Sequence, residues 1–120
     1  MKTARIIIRN DDEAAMADAA SGFIEAWHSG KSREDVFTFS SPAQLFSILT
    51  PRRWTLIEQL QKSGPSTYRA LARQLERDVK RVHEDATALI QWGLVAAHDG
   101  GGIYVPYDVI HAGFDLKAAA

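Results

Sequence analysis

Between Thr50 and Tyr107, apolar residues recur at three- and four-residue spacing in three successive blocks, then change to short runs around a glycine cluster. The first block runs from Pro51 to about Lys62, with Trp54, Ile57 and Leu60 on one side. Thr50 is its N-cap, Pro51 occupies the first helical position where a missing N–H costs nothing, and Gly64-Pro65 ends it. The second opens at Thr67 and places Tyr68, Leu71, Ala72 and Leu75 at i, i+3, i+4 and i+7, which predicts a short one-sided helix. After a tight Glu76-Arg77 turn, Asp78 is placed to cap a third helix reaching Trp92, with Gly93 as its stop. Its expected inner face is Val79, Val82, His83, Ala86, Leu89 and Ile90. Leu94–Ala97 and Ile103–Tyr107 then read as two strands joined by DGGG, whose glycines accept positive φ.

Upstream the periodicity is weaker. Ala4–Arg9 reads as a strand, Asp11–His28 as a helix with a thin stripe of Ala15, Ala19, Phe23, Ile24 and Trp27, and Val36–Ser40 as a second strand with Phe37 and Phe39 on one face. Ser41-Pro42 repeats the hydroxyl-proline start signal and opens a short helix, Pro42–Leu49. The expected fold class is therefore α+β, a winged helix-turn-helix with a short N-terminal strand-helix-strand extension. Residues 1–36 form the extension, 37–116 the winged helix-turn-helix domain, and 117–120 an alanine-rich tail with no assigned role.

A length of 120 residues suffices for one core with an appendage. With no cysteine, disulfides and thiolate metal sites are excluded. The run RIIIR followed by acids is neither a signal-peptide core nor a membrane span, so a cytoplasmic location is expected. A net charge of −1 argues weakly against a nucleic-acid partner, but the distribution argues for one. Residues 50–81 hold eight Lys/Arg against three Asp/Glu, whereas 1–49 hold five against seven and 82–120 one against five. One basic block thus lies between acidic flanks, on the helix-turn-helix pattern itself.

That placement assigns roles. In a helix-turn-helix the first helix braces the second, whose N-terminal outer face enters the major groove. Arg77, Lys80, Arg81 and Glu84 are the expected base readers, since Arg and Lys donate to guanine and a carboxylate accepts from cytosine N4. Arg52, Arg53, Thr67, Arg69 and Arg73 lie near helix starts or outer faces and suit phosphates. His98, Gly100, Gly101 and Gly102 make a wing tip without Lys or Arg, expected to add little. Ile6, Ile8, Phe23, Ile24 and Trp27 are apolar anchors for subunit pairing or a partner, with a simple cover for the core as the equal rival.

Enzymatic readings find little support. His28, His83, His98 and His111 share no i, i+3 or i, i+4 spacing, and DGGG lacks the Lys-Ser/Thr of a nucleotide loop. No enzyme activity, metal or cofactor is expected. A ribbon-helix-helix reading of RIIIR fails for want of a second helix before the polar break. The remaining rival is a winged helix used as a protein-protein interaction module without DNA binding.

The segments FTFSSPAQLFSILTPRRW, GPSTYRALARQLERDVKRVHEDATALIQWGLV and VPYDVI with Phe114-Asp115-Leu116 resemble the small prokaryotic winged-helix proteins classed as predicted transcriptional regulators. The most specific phrase, RDVKRVHED, falls on the expected recognition helix, and the likeness spans roughly residues 37–116. The resemblance implies a sequence-specific regulator of double-stranded DNA, a repressor, and an antitoxin-like or autoregulating role with a toxin-like protein partner. A homodimer is expected from the modest interface of one such module.

Overall fold

The computed structural model describes residues 2–9, 33–116 and 118. The expected helix Asp11–His28, with Phe23, Ile24 and Trp27, lies outside them. The chain is mixed α+β and divides into two compact units, Met1–Leu45 with Val109–Ala120, and Phe46–Asp108.

The first unit holds a three-stranded sheet of order β2-β1-β5, from β1 (Lys2–Ile8), β2 (Arg33–Phe39) and β5 (Val109–Ala112). Both pairings are parallel, Ile6 opposing Phe37 on one side and Ala112 on the other. Alternation along β1 buries Ala4 and Ile6 and exposes Arg5. β2 begins three residues before the expected Val36 because its charged start is stabilised in the sheet, where Lys2 pairs with Asp35 at 3.8 Å and Arg5 with Glu34 at 3.3 Å. Hydropathy carries no trace of such pairs. β5 is an addition to the expected elements: its partner β1 lies at the other end of the chain, and local periodicity is blind to that.

Ser41 caps α1 (Pro42–Ile48) through its Oγ, which accepts from Gln44 N at 3.1 Å, while Gln44 Oε1 accepts from Ser40 N at 2.6 Å. The division between the units falls within this helix.

The second unit is built on three helices. Thr50 Oγ1 accepts from Arg53 N and Pro51 opens α2 (Pro51–Ser63), which buries Leu56, Ile57 and Leu60. Thr67 Oγ1 accepts from Ala70 N at 3.1 Å and opens α3 (Tyr68–Leu75), which buries Leu71 and Ala72. Asp78 is the N-cap of α4 (Val79–Trp92) by backbone position, but its side chain makes no capping bond. Both α3 and α4 end in a left-handed residue, Glu76 (φ 54°) and Gly93 (φ 92°), closed by paired hydrogen bonds. Glu76 N donates to Arg73 O and Arg77 N to Ala72 O; Gly93 N donates to Ile90 O and Leu94 N to Leu89 O. These are Schellman closures, which leave few helix-end carbonyls unsatisfied.

The inner face of α4 is narrower than expected. Val82, Ala86 and Leu89 are fully buried, whereas Val79 is 41% and Ile90 37% exposed and His83 is exposed. At 3.6 residues per turn the last three share one flank, roughly 60–100° away from the buried stripe. His83 leans on Tyr68, ring centroids 4.7 Å apart.

β3 (Ala96–Ala97) and β4 (Ile103–Tyr104) form the expected hairpin, shorter than the apolar runs that announce it. Leu94 N is already engaged in the Schellman closure, and Pro106 has no N–H to extend the ladder. Ser66, between α2 and α3, forms a bridge with Ile103, its N donating to Ile103 O at 2.9 Å and its O accepting from Ile103 N at 2.8 Å. The unit therefore reads helix, one-residue strand, helix, helix, hairpin.

Candidate nucleic-acid interface

Burial divides the basic block into two groups. Arg53 and Arg77, read from sequence as a phosphate contact and a base reader, do not stand on an outer face: their side chains are 22% and 17% exposed. Both turn to Asp85. Arg53 Nε donates to Asp85 Oδ1 at 3.1 Å and Arg77 Nη2 to Oδ2 at 2.6 Å, while Arg53 Nη1 donates to the Ile48 carbonyl at 2.6 Å. The cause is local. Arg77 follows the left-handed Glu76 in the Schellman closure, so its backbone is fixed, and Asp85 stands two turns along α4 from it. Two guanidiniums on one carboxylate form charge-assisted bonds stronger than neutral ones. Arg77 Nη1 is buried without a hydrogen-bond partner.

The second group is Arg52, Lys62, Arg69, Arg73, Lys80 and Arg81. All are exposed, and none of their side chains has a hydrogen-bond or ion-pair partner among the described residues. Arg52 is on the first turn of α2, Arg69 and Arg73 on α3, Lys80 and Arg81 on the first turn of α4.

Counting around α4 from the buried stripe, the residues pointing most directly away are Lys80, Glu84, Thr87 and Gln91, all exposed. Arg81 flanks them on one side and His83 on the other. Lys80, Arg81 and Glu84 thus lie where the sequence reading puts them. Thr87 and Gln91 are additions, legible only once the true inner face is known. Thr87 Oγ1 donates to His83 O at 2.8 Å and so presents lone pairs and a methyl group outward.

Thr67 is committed through its Oγ1 to capping α3, with its hydroxyl proton still available. At the hairpin tip the histidine ring is structural: Gly100 N donates to His98 Nδ1 at 3.1 Å, and the ring meets Tyr104 edge-on, centroids 5.4 Å apart. Gly102 (φ 81°) serves a close approach, since a Cβ there would lie 2.4 Å from Ser66 O. Gly101 (φ 102°) faces open space and Gly100 lies against the His98 ring. In the first unit, Ile6 is 1% exposed and thus spent in its own core, while Ile8 is half-buried.

A family model designated HVO_A0114 matches residues 48–112, more than half of the chain. The chain belongs to the HVO_A0114 family. The matched stretch takes in α2, α3, α4, the hairpin and β5, and so contains Arg52, Arg53, Arg69, Arg73, Arg77, Lys80 and Arg81. No curated protein and no solved structure matches the chain. Among the described residues, no group of three or more His, Cys, Asp or Glu is placed to hold a metal ion, and no helix is long and apolar enough to cross a membrane.

Proposed function

We propose that this chain is a sequence-specific double-stranded DNA-binding transcriptional regulator whose α2–α4 unit and hairpin work as a winged helix-turn-helix. The observation that carries the reading is the α3–α4 pair. A turn of residues 76–78 joins them, and the uncovered face of α4 presents Lys80, Glu84 and Thr87 beside cations that have no partner among the described residues. The Ser66–β4–β3 strand order, threaded by α2, α3 and α4, supports the winged form.

In this reading Lys80 and Arg81 donate to guanine edges and Glu84 accepts from cytosine N4, while Arg52, Arg69 and Arg73 contact phosphates. The amide-bearing start of α3 at Thr67 adds a phosphate donor. Arg53 and Arg77 have no direct part. The hairpin tip carries no Lys or Arg and contributes little to affinity. Two protomers place their α4 helices in successive major grooves about 34 Å apart on a palindromic site.

Selection of bound fragments from genomic DNA, followed by salt titration on the most enriched site, tests the proposal. Enrichment of one site with affinity falling steeply as salt rises is the expected result. The exposed Val79 and Ile90 on α4 favour a second reading, a docking face for another protein. No enrichment at low salt would decide for it.

A further inference from the structure

The Asp85 cluster joins four pieces of the second unit: the end of α1 through the Ile48 carbonyl, the first turn of α2 through Arg53, the α3–α4 turn through Arg77, and α4 through Asp85 itself. Its side chains are part-buried, 17–22% exposed, and their polar atoms are turned to one another and to the Ile48 carbonyl.

The apolar face of α4 consists of Val82, Ala86 and Leu89, a narrow stripe of modest side chains. Such a face resists separation from its neighbours, because that would expose apolar area, but resists rolling about the helix axis far less. Hydrogen bonds supply the missing direction. Asp85 Oδ1 and Oδ2 accept from guanidiniums on α2 and on the α3–α4 turn, so a roll of α4 that shifts Asp85 disturbs the geometry of these bonds. Asp85 lies directly after Glu84 and one turn beyond Arg81. With side chains ending about 5–6 Å from the axis, a roll of about 10° moves their tips by about 1 Å, enough to spoil a base contact.

We infer that Asp85 is a positioning residue for DNA discrimination: it never touches DNA, but holds Arg53 and Arg77 so that α4 presents Lys80, Arg81 and Glu84 in register with base edges. The inference rests on the DNA-binding reading above. It assigns to Arg53 and Arg77 a shared task, holding the recognition helix.

Asp85→Asn separates this role from its rivals. The substitution keeps size and shape, but its amide has one acceptor oxygen for two donors, and it removes a negative charge. Simple electrostatics would tighten binding to every duplex, and simple loss of fold would weaken every duplex in the same proportion. A positioning role does neither. The probes are the most enriched duplex recovered with the wild-type chain and a scrambled duplex of the same composition, below the melting range of both proteins. The preference for the enriched duplex should fall about tenfold, as for one lost base contact, with scrambled-duplex affinity unchanged or slightly raised. Glu58→Gln, an exposed charge removal on α2, is the control and should leave the preference intact. Arg77→Met should lower the preference as Asp85→Asn does. A preference within twofold of wild type in Asp85→Asn overturns the inference alone. A wild-type chain that binds no duplex at low salt overturns the DNA-binding reading, and the inference with it.

Discussion

Gly102 and Gly101 are neighbours in one hairpin tip, yet they are glycine for different reasons. Both have positive φ, a backbone strain costing about 1–3 kcal/mol for most other residues. Only at Gly102 would a Cβ also meet backbone, 2.4 Å from Ser66 O and 2.7 Å from Ser66 C. Those atoms belong to the bridge with Ile103 and have little room to yield. Gly102→Ala should therefore lower the melting temperature clearly more than Gly101→Ala, whose cost stays within the backbone range. Comparing the two melts by circular dichroism checks this, and equal shifts would remove the close approach as the reason for glycine. Asp85 teaches a related lesson. From the sequence it is one acid near His83, while Arg53 and Arg77 look like any other members of a basic block. Their partnership spans 32 residues in one case and 8 in the other. Spacing along the chain cannot reveal it, because it depends on how α2 is laid across the α3–α4 turn.

At the scale of elements, what is read well is what is local. Thr50-Pro51, Thr67, Gly64 and Gly93 mark helix ends, and the helices begin and stop at them because caps act within four residues. Thr67→Ala should accordingly cost about 1 kcal/mol of stability, seen as a lower midpoint in urea with an unchanged slope. β5 and the early start of β2 are illegible for the opposite reason: pairing with β1 makes them strands, and nothing within a few residues encodes it. The face of α4 is an intermediate case. Val79, His83 and Ile90 satisfy helical periodicity, and only packing tells them from Val82, Ala86 and Leu89. With the inner face corrected, the outer one gains Thr87 and loses Arg77, which changes what a mutational survey should find. Lys80→Ala should weaken binding to the selected duplex by about 1–3 kcal/mol and scrambled DNA much less, whereas Arg69→Ala on α3 should weaken both alike. Competition assays with the two duplexes measure the difference, and identical losses for the two variants would undo the division of labour between the helices.

For the whole molecule, a net charge of −1 conceals a basic segment at residues 50–81, and under the proposed DNA-binding role salt dependence would read that segment directly. Each phosphate neutralised on a duplex releases condensed counterions, giving a slope of about −0.9 per contact in a plot of log affinity against log salt. Arg52, Arg69 and Arg73 have exposed side chains without partners among the described residues, so in the proposed complex one protomer would bring three such contacts. A single bound protomer then gives a slope of about −3, and a pair on a palindrome about −5. Substitution sharpens the distinction, because Arg69→Ala removes one contact from a lone protomer but two from a pair. The slope should become shallower by about 1 in the first case and by nearly 2 in the second. The proposed pairing predicts the larger change, together with a complex of two chains per duplex in sedimentation equilibrium. A change near 1 with one chain per duplex would retain the DNA contacts and discard the dimer. No change at all would show that Arg69 faces no phosphate, and would move the positive end of α3 out of the interface.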